Sequence, residues 1–289
     1  MNADAFVQHR GLLFTVAYEM LGSASDAEDV VQETWLRWAT VDHETVRDTR
    51  AYLVCIATRQ ALNRLRTLTR RREDYVGEWL PEPLLTSPDV ADDVELAESV
   101  SMAMLTVLET LGPTERAVFV LREVFDMPYH EISEAVGKSP AAVRQVAHRA
   151  REHVAARRPR AQVSRAEQER AVERFLDALR SGDLQSLLEV LAPDVVLVSD
   201  GGGVAPAAPR PIEGAQQVAR FLSAFATPAP DADVDTVLLN GAPAIRIDLA
   251  GETSTAVSLV VQDGRISRIY AVRNPQKLER LDVETLLTR

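Results

Sequence analysis

Residues 129–150 read YHEISEAVGKSPAAVRQVAHRA, which is two short helical patterns separated by one tight turn. Gly137 ends the first pattern. Ser139 and Pro140 start the second, because serine caps free backbone N–H groups and proline fits the first helical position. Two helices of this length, with these residues ending the first and starting the second, are typical of a helix-turn-helix, whose second helix lies in the major groove of DNA. Any pair of amphipathic helices gives a similar pattern, so the residue types carry the functional argument. The side chains predicted to point outward from the second helix are Arg144, Gln145, His148 and Arg149, types that contact guanine, adenine and phosphate.

The helix-turn-helix belongs to a helical module that we place at residues 95–160. Its first part, 95–111, has the apolar spacing of a single helix, which Gly112 and Pro113 should end. Thr114 is the predicted cap of the helix that follows.

A second helical module is predicted at residues 1–75. The pattern LLFTVAYEML predicts a helix that Gly22 stops, and Ser25 with Glu28 three residues later predicts a capping box at the start of the next helix. A third helix, AYLVCIATRQALNRLR, is apolar in its first half and arginine-rich in its second. Residues 76–94 contain three prolines and little regular pattern, and are predicted to be a linker.

The last module, residues 165–289, changes character. Helical patterns precede short runs rich in β-branched residues, and the turns NGAP, AGET and QDGR separate the last four runs. Asp263-Gly264 is a strong hairpin signal. This order predicts an α+β domain with an antiparallel meander.

The net charge of −11 is unevenly distributed. Residues 73–126 hold two arginines and thirteen acids, whereas residues 127–164 hold seven basic residues and three acids. Residues 64–72, RLRTLTRRR, carry five arginines and no acid. Two short basic stretches in an acidic chain favour local phosphate contacts, although solvated helix ends would look the same.

Composition excludes several classes of protein. At 46% hydrophobic residues the chain can build real cores, and it has no apolar run long enough to span a membrane. The acidic, mixed N-terminus argues against a signal peptide. Cys55 is the single cysteine, so no internal disulfide or thiolate metal cluster can form. We expect a cytoplasmic protein without a metal site, a cofactor or a membrane partner.

The first module carries two further candidate surfaces. One is an acidic helix face beside two tryptophans, within DAEDVVQETWLRW; alone, it would be read as a solvated face over a core. The other is Asn63, Arg64 and Arg66 after an apolar helix, which could hold melted DNA through backbone contacts. A basic helix end that satisfies its own dipole is the alternative.

Together these residues resemble a known family. LLFTVAYEMLGSASDAEDVVQETWLRW with RAYLVCIATRQALNRLRTLTRRRE is similar to domain 2 of the extracytoplasmic-function (ECF) sigma factors of bacterial RNA polymerase, and ETLGPTERAVFVLREVFDMPYHEISEAVGKSPAAVRQVAHRARE is similar to their domain 4. The resemblance implies a subunit that brings core RNA polymerase to promoter DNA.

The resemblance also implies roles for single residues. Contacts with the clamp helices of the largest polymerase subunits are implied for Asp26, Glu28, Asp29, Gln32, Glu33 and Trp35. Contacts with the minus-10 element are implied for Arg59, Asn63, Arg64, Arg66, Arg70 and Arg71. Contacts with the minus-35 element are implied for Lys138, Ser139, Arg144, Gln145, His148 and Arg149.

The third module is similar to the SnoaL-like (NTF2-like) domain fused to a sigma-J-like subgroup of these factors. The fold class implied is multidomain: two all-α sigma domains, the second with the helix-turn-helix, and a C-terminal α+β cone domain. The motifs WLPEPL, DGGG and NPQKL match the subgroup, except that Val204 follows DGGG where the pattern has a basic residue. Regulatory contacts are implied for Trp79, Leu80, Pro81, Asp200, Gly201, Gly202, Gly203, Asn274, Pro275, Lys277 and Leu278.

Three hypotheses follow for the whole chain. The first is a sigma factor that its C-terminal domain regulates in cis, with a possible small ligand of that domain. The second is a SnoaL-like enzyme with a sigma-derived remnant, for which Asp194, Asp200 and Asp248 are the available carboxylates; no histidine follows His153. The third is a helix-turn-helix regulator that ignores polymerase, for which the acidic face would be useless.

Overall fold

The structure is a computed structural model that describes residues 2–73, 75–158, 163–225, 232–250 and 252–289. Within these ranges, the side chains of residues 2–3, 69–73, 225 and 253 are outside the description. No helix in the described part is long and apolar enough to cross a membrane.

The N-terminal module is a three-helix unit. Its helices are α1 (Asn2–Leu21), α2 (Ala24–Trp38) and α3 (Thr49–Glu73), with a short 3-10 turn at His43–Thr45. Gly22 ends α1 as predicted, in the left-handed region at φ +67°. The predicted cap Ser25 is wrong, since Ser23 caps α2 by accepting the Asp26 N–H at 3.2 Å. The left-handed turn at Gly22 brings the chain back to extended backbone at Ser23, one step before the helix, and Ser25 is already helical.

The second module begins with a helix at Pro88, within the residues expected to be linker, and we use linker below for residues 75–87. The described part of this module contains six short or medium helices. They are α4 (Pro88–Asp92), α5 (Val94–Val100), α6 (Met102–Leu108), α7 (Pro113–Phe119), α8 (Tyr129–Val136) and α9 (Pro140–Arg157), with a π turn at Val120–Val124. The prediction of one helix over 95–111 is wrong, because the Ser101 hydroxyl accepts the Met104 N–H at 3.2 Å and starts a new helix. The Thr114 cap is also wrong. Gly112 is the N-cap of α7, and Pro113 takes the first helical position, where its missing N–H costs nothing.

The helices of both modules share one hydrophobic core, which runs from Phe6 to Val154 and includes Leu287 from the C-terminus. Helix α3 packs against α7 and α8, so the two modules are in direct contact. Ser139 caps α9, as predicted, by accepting the Ala142 N–H at 3.3 Å. The helix-turn-helix is α8, the left-handed Gly137 and α9.

The C-terminal domain is an α+β unit whose described strands form one six-stranded sheet. Its helices are α10 (Arg165–Ser181), α11 (Leu184–Val190), α12 (Ala215–Phe225) and α13 (Pro275–Leu278). Its strands are β1 (Leu191–Asp200), β2 (Ile212–Glu213), β3 (Ala232–Leu239), β4 (Ala242–Leu249), β5 (Glu252–Gln262) and β6 (Arg265–Val272), in the order β2-β1-β6-β5-β4-β3.

The sheet is a meander with one parallel addition. Strands β3 to β6 are antiparallel neighbours, as predicted, whereas β1 pairs in parallel with β6, which the sequence did not predict. Successive side chains of a strand point to opposite faces. One face of the sheet packs against α10, α11 and α12. On the other face, Tyr270 of β6 lies in one apolar cluster with Leu80 of the linker and Leu281.

Glu19 is a fully buried acid between the two helical modules. It lies on α1 and accepts a hydrogen bond of 2.8 Å from the Ser99 hydroxyl of α5. Its second carboxylate oxygen has no hydrogen-bond partner among the described residues. Burial raises the pKa of Glu19 to about 8, with the Ser99 bond opposing this in part.

We predict that Glu19 makes the protein less stable as pH rises. In the unfolded chain Glu19 loses its proton at an ordinary pKa, so between that value and about 8 the folded state binds the extra proton, and stability falls with rising pH. From pH 6 to pH 9 this amounts to about 2–3 kcal/mol. Thermal unfolding of the wild type should therefore lose several degrees more than Glu19→Gln over that range.

The matched control is Glu33→Gln, which changes an exposed acid on α2 and should lose as much thermal stability between pH 6 and pH 9 as the wild type. If Glu19→Gln loses as much thermal stability as the wild type between pH 6 and pH 9, the buried acid is ionised throughout and the prediction is wrong.

Candidate nucleic-acid and interdomain sites

The outer side of α9 is open to solvent. Val143, Val146 and Ala147 are buried against the rest of the module, which fixes the orientation of the helix. The six candidate minus-35 residues are all exposed: Lys138, Ser139, Arg144, Gln145, His148 and Arg149. His148 lies 3.6 Å from Glu152, one helical turn away. This arrangement suits a recognition helix, in which cationic and amide side chains reach base edges.

The acidic face of α2 is largely occupied by arginines of the same chain. Arg64 of α3 contacts Asp26 at 2.5 Å and Asp29 at 2.6 Å, and Arg10 contacts Glu28 at 2.7 Å. The other candidate polymerase contacts on this face are exposed: Gln32, Glu33 and Trp35. Trp35 packs on Phe6 with ring centroids 5.1 Å apart.

The candidate minus-10 residues fall into four groups. Arg59 donates a 2.7 Å hydrogen bond to the Glu134 carbonyl of α8, so the helix-turn-helix module engages it. Arg64 is held on the acidic face of α2, as described above. Asn63 and Arg66 are exposed and lie 3.4 Å from each other. The side chains of the last two candidates, Arg70 and Arg71, lie outside the described part of α3.

The three motifs WLPEPL, DGGG and NPQKL meet around one buried carboxylate, that of Asp200, which is fully inaccessible to solvent. It accepts hydrogen bonds from the Tyr75 hydroxyl at 2.7 Å, the Leu80 N–H at 2.9 Å and the Gly202 N–H at 3.0 Å. Lys277 completes the set with an ion pair of 2.7 Å. We call these residues, with Asn274 and Trp79, the Asp200 cluster.

Aromatic and amide side chains enclose the cluster. The Lys277 ammonium lies 4.1 Å from the centre of the Trp79 ring, a cation–π contact, and Asn274 donates to the Tyr75 hydroxyl at 2.8 Å. Burial raises the pKa of Tyr75, and the adjacent Asp200 raises it further. A side chain at Gly202, where φ is +60°, would collide with Asn274, so only glycine fits there. The remaining motif residues border the cluster: Pro81, Gly201 and Leu278 are buried, and Gly203 and Pro275 are exposed.

A second polar network, which sequence reasoning missed, joins all three modules. Asn240 follows β3 and donates to the Tyr18 hydroxyl of α1 at 2.7 Å and to the Val100 carbonyl at 2.9 Å. Tyr18 in turn donates to the Glu82 carbonyl of the linker at 2.7 Å. The left-handed φ of +53° at Asn240 fits an Asn-Gly turn, but nothing in the sequence indicated these partners.

The C-terminal residues contact both helical modules. The Thr288 N–H donates to Thr15 of α1 at 3.0 Å, Leu287 is buried in the shared core, and Arg289 contacts Glu95 and Asp93. Arg280 also lies 3.6 Å from Glu28 on the acidic face.

The C-terminal sheet and its helices line a separate cavity of about 550 Å³ that is partly open to solvent. Its described lining contains no aspartate, glutamate or histidine. Asp200 lies on the opposite face of the sheet, Asp194 is exposed, and Asp248 is paired with Arg246 at 2.9 Å.

A helix-turn-helix with an open cationic face, packed on a second helical module and an α+β domain, defines a multidomain DNA-binding protein. Comparisons agree in order and extent. Residues 5–71 match the Sigma-70 region 2 family, residues 101–154 match Sigma-70 region 4, and residues 172–269 match the SnoaL-like domain.

Similar proteins cover nearly the whole chain. The ECF RNA polymerase sigma factor SigJ of Mycobacterium tuberculosis is 36% identical over 96% of this chain and 93% of its own length. The probable ECF RNA polymerase sigma factor SigI of the same organism is 33% identical over 97% of this chain and 96% of its own length. A crystal structure of M. tuberculosis SigJ superposes with a TM-score of 0.77 at 32% identity, over 96% of this chain and 99% of that one. This chain therefore belongs to the family of ECF RNA polymerase sigma factors.

We predict different effects from two arginines of α9. Arg144→Ala should weaken binding to a cognate minus-35 duplex by about 1–3 kcal/mol and relax its sequence preference, as for loss of a contact to a guanine edge. Arg157→Ala, near the end of α9, should weaken binding to all sequences alike and flatten the salt dependence. Titrations of fluorescent duplexes at two salt concentrations would measure both, and the same behaviour from the two variants would contradict the recognition-helix assignment.

Proposed function

We propose that this chain brings core RNA polymerase to specific promoters, and that the structure is a closed arrangement in which it does not read them. The shared core of the two sigma modules carries this proposal. The polymerase partner implies a place of action in the cytoplasm.

The spacing of the promoter elements along DNA is too large for the closed arrangement to contact both of them. Helix α3 packs on α8, and α8 packs on α9. Because packed helices lie about 8–10 Å apart, the helices proposed for the two promoter elements are within about 20 Å of each other here. Elements named minus-10 and minus-35 are about 25 base pairs apart, which is roughly 85 Å of duplex. The two modules must therefore separate before both elements can be contacted.

The contacts of two candidate minus-10 arginines agree with a state that does not bind promoter DNA. Arg59 is bound to the Glu134 carbonyl of the other module, and Arg64 is bound to the acidic face of α2. Both would have to exchange these partners for DNA phosphates. The open face of α9 needs no such exchange, so the minus-10 side is the more restricted of the two.

The C-terminal domain would stabilise the closed state through the linker. The Asp200 cluster binds the linker at Tyr75 and Leu80, and the Asn240 network binds it at Leu84 while contacting Tyr18 of α1. Since all these groups belong to one chain, their effective concentrations are on the order of millimolar, and modest contacts suffice. The proposed regulatory residues act by holding the linker.

We propose no catalytic role for the C-terminal domain. Its fold is shared with enzymes, but fold alone does not supply chemistry. The cavity described above has no acid or histidine in its described lining to move a proton. The similar proteins that extend over the whole chain are named sigma factors.

Run-off transcription with core polymerase tests the proposal. At a limiting concentration of the protein, Asp200→Asn should raise promoter-dependent initiation several-fold. Loss of the carboxylate charge leaves Lys277 buried without its counterion and loosens the linker. Breaking a buried ion pair in this way costs about 3–5 kcal/mol, which the other linker contacts offset in part. Asp194→Asn, an exposed acid on the same strand, is the matched control and should behave like the wild type.

Equal activity of the two variants would contradict control through the Asp200 cluster. A wild-type chain that binds promoter duplex but neither binds nor stimulates polymerase would instead contradict the sigma-factor function and favour a simple DNA-binding regulator.

A further inference from the structure

The cavity of the C-terminal domain has the size and lining of a small-molecule site. It measures about 550 Å³, within the range of pockets that enclose small organic ligands. Its walls are mainly apolar and come from both helices and sheet, with Phe175 from α10, Phe221 from α12, and Leu197, Ile247 and Ile269 from the strands.

The polar groups of this cavity meet near the ends of β1 and β6. Arg273 directly follows β6, and strand alternation brings it to the same face as Ile269 and Ala271. Its guanidinium donates to the Pro206 carbonyl at 2.7 Å, and Ser199 of β1 also lines the cavity. The guanidinium of Arg273 is half-buried, and this burial lowers the pKa of Arg273. Arg180, the other cation of the lining, is exposed.

We propose that this cavity binds an apolar small molecule with one anionic group, the anion against Arg273 and the apolar body against Leu197, Phe221 and Ile247. A half-buried guanidinium beside apolar walls recognises an anion through charge-assisted hydrogen bonds. The absence of acids and histidines from the described lining favours retention of a ligand over its conversion.

The same strand ends connect this cavity with the Asp200 cluster. Ser199 and Arg273 face the cavity, whereas their neighbours Asp200 and Asn274 face the linker. The Asp200 carbonyl accepts the N–H groups of Arg273 at 2.7 Å and Asn274 at 3.0 Å. A ligand that repositions Arg273 therefore acts on the cluster one residue away, and by reciprocity the cluster acts on ligand affinity. The transcriptional consequence of this link rests on the proposed function, whereas ligand binding does not.

Fluorescence titration of the full-length chain tests the site with two probes of similar shape. Anilinonaphthalene sulfonate (ANS) carries the anion, and N-phenylnaphthylamine is its neutral counterpart. ANS should bind saturably at one site per chain. Arg273→Gln should lower the affinity for ANS about tenfold, which is equivalent to the loss of one hydrogen bond to a charged group. It should change the affinity for the neutral probe by no more than about twofold.

Two further variants distinguish the cavity from other surfaces. Arg268→Gln removes an exposed arginine of the same strand and should leave the affinity for both probes unchanged. Ala271→Leu narrows the cavity and should weaken both probes. Circular dichroism and a cooperative thermal transition establish that each variant is folded. The proposal is overturned if neither probe binds saturably, if Arg268→Gln and Arg273→Gln have equal effects, or if Arg273→Gln weakens both probes alike.

The connection between the Asp200 cluster and the cavity is tested by a separate measurement. Asp200→Asn should change the affinity for ANS about fivefold or more, a coupling free energy within the range usual between two sites, while Asp194→Asn should not. Unchanged affinity in Asp200→Asn overturns the link. That result would leave the sigma-factor proposal to its transcription assay, which involves no ligand.

Discussion

The buried charge of Asp200 is the constraint on which the arrangement of this protein depends. Removing a carboxylate from water costs several kcal/mol unless partners replace the lost hydration. Here the four partners come from three parts of the chain: Gly202 beside the strand, Tyr75 and Leu80 of the linker, and Lys277 of α13. If the linker leaves the sheet, the carboxylate and the ammonium lose much of their hydrogen bonding together. The cost of that separation ties the linker to the C-terminal domain.

The linker passes this constraint to the sigma modules. Glu82 binds the start of α2 through the Ala24 N–H at 2.8 Å, and its own N–H donates to the Gly22 carbonyl at 2.8 Å. A β-carbon at Gly22 would lie 2.8 Å from Trp79, so this glycine provides both the turn that ends α1 and the space that the linker needs. Asn240 and Tyr18 add a second connection, entirely buried. In the proposed closed state, these polar groups join the linker to its neighbours and add to the hydrophobic core that the two sigma modules share.

Local signals in the sequence predicted most of the helices and strands, and they failed where structure depends on distant partners. Ser139, Gly137 and the Asp-Gly turn were found because caps and turns are set by adjacent residues. The break at Ser101 was missed because apolar spacing continues through it, and the parallel pairing of β1 with β6 was missed because it joins segments about seventy residues apart. The exposed residues of α9 followed from periodicity alone. Resemblance to a family pointed to the three motifs, but neither periodicity nor resemblance pointed to Asn240, Glu19 or the role of Tyr75.

Pulsed electron–electron double resonance measures the distance between two spin labels and therefore tests directly whether the Asp200 cluster holds the sigma modules together. In a Cys55→Ser background, labels at Arg37→Cys on α2 and Ala156→Cys on α9 report the separation of the two sigma modules. We expect one narrow, short distance population for the otherwise wild-type chain and for Asp194→Asn, and a broad population at longer distances for Asp200→Asn. The same narrow population in Asp200→Asn would contradict the account, because the modules would then be held together without the buried carboxylate.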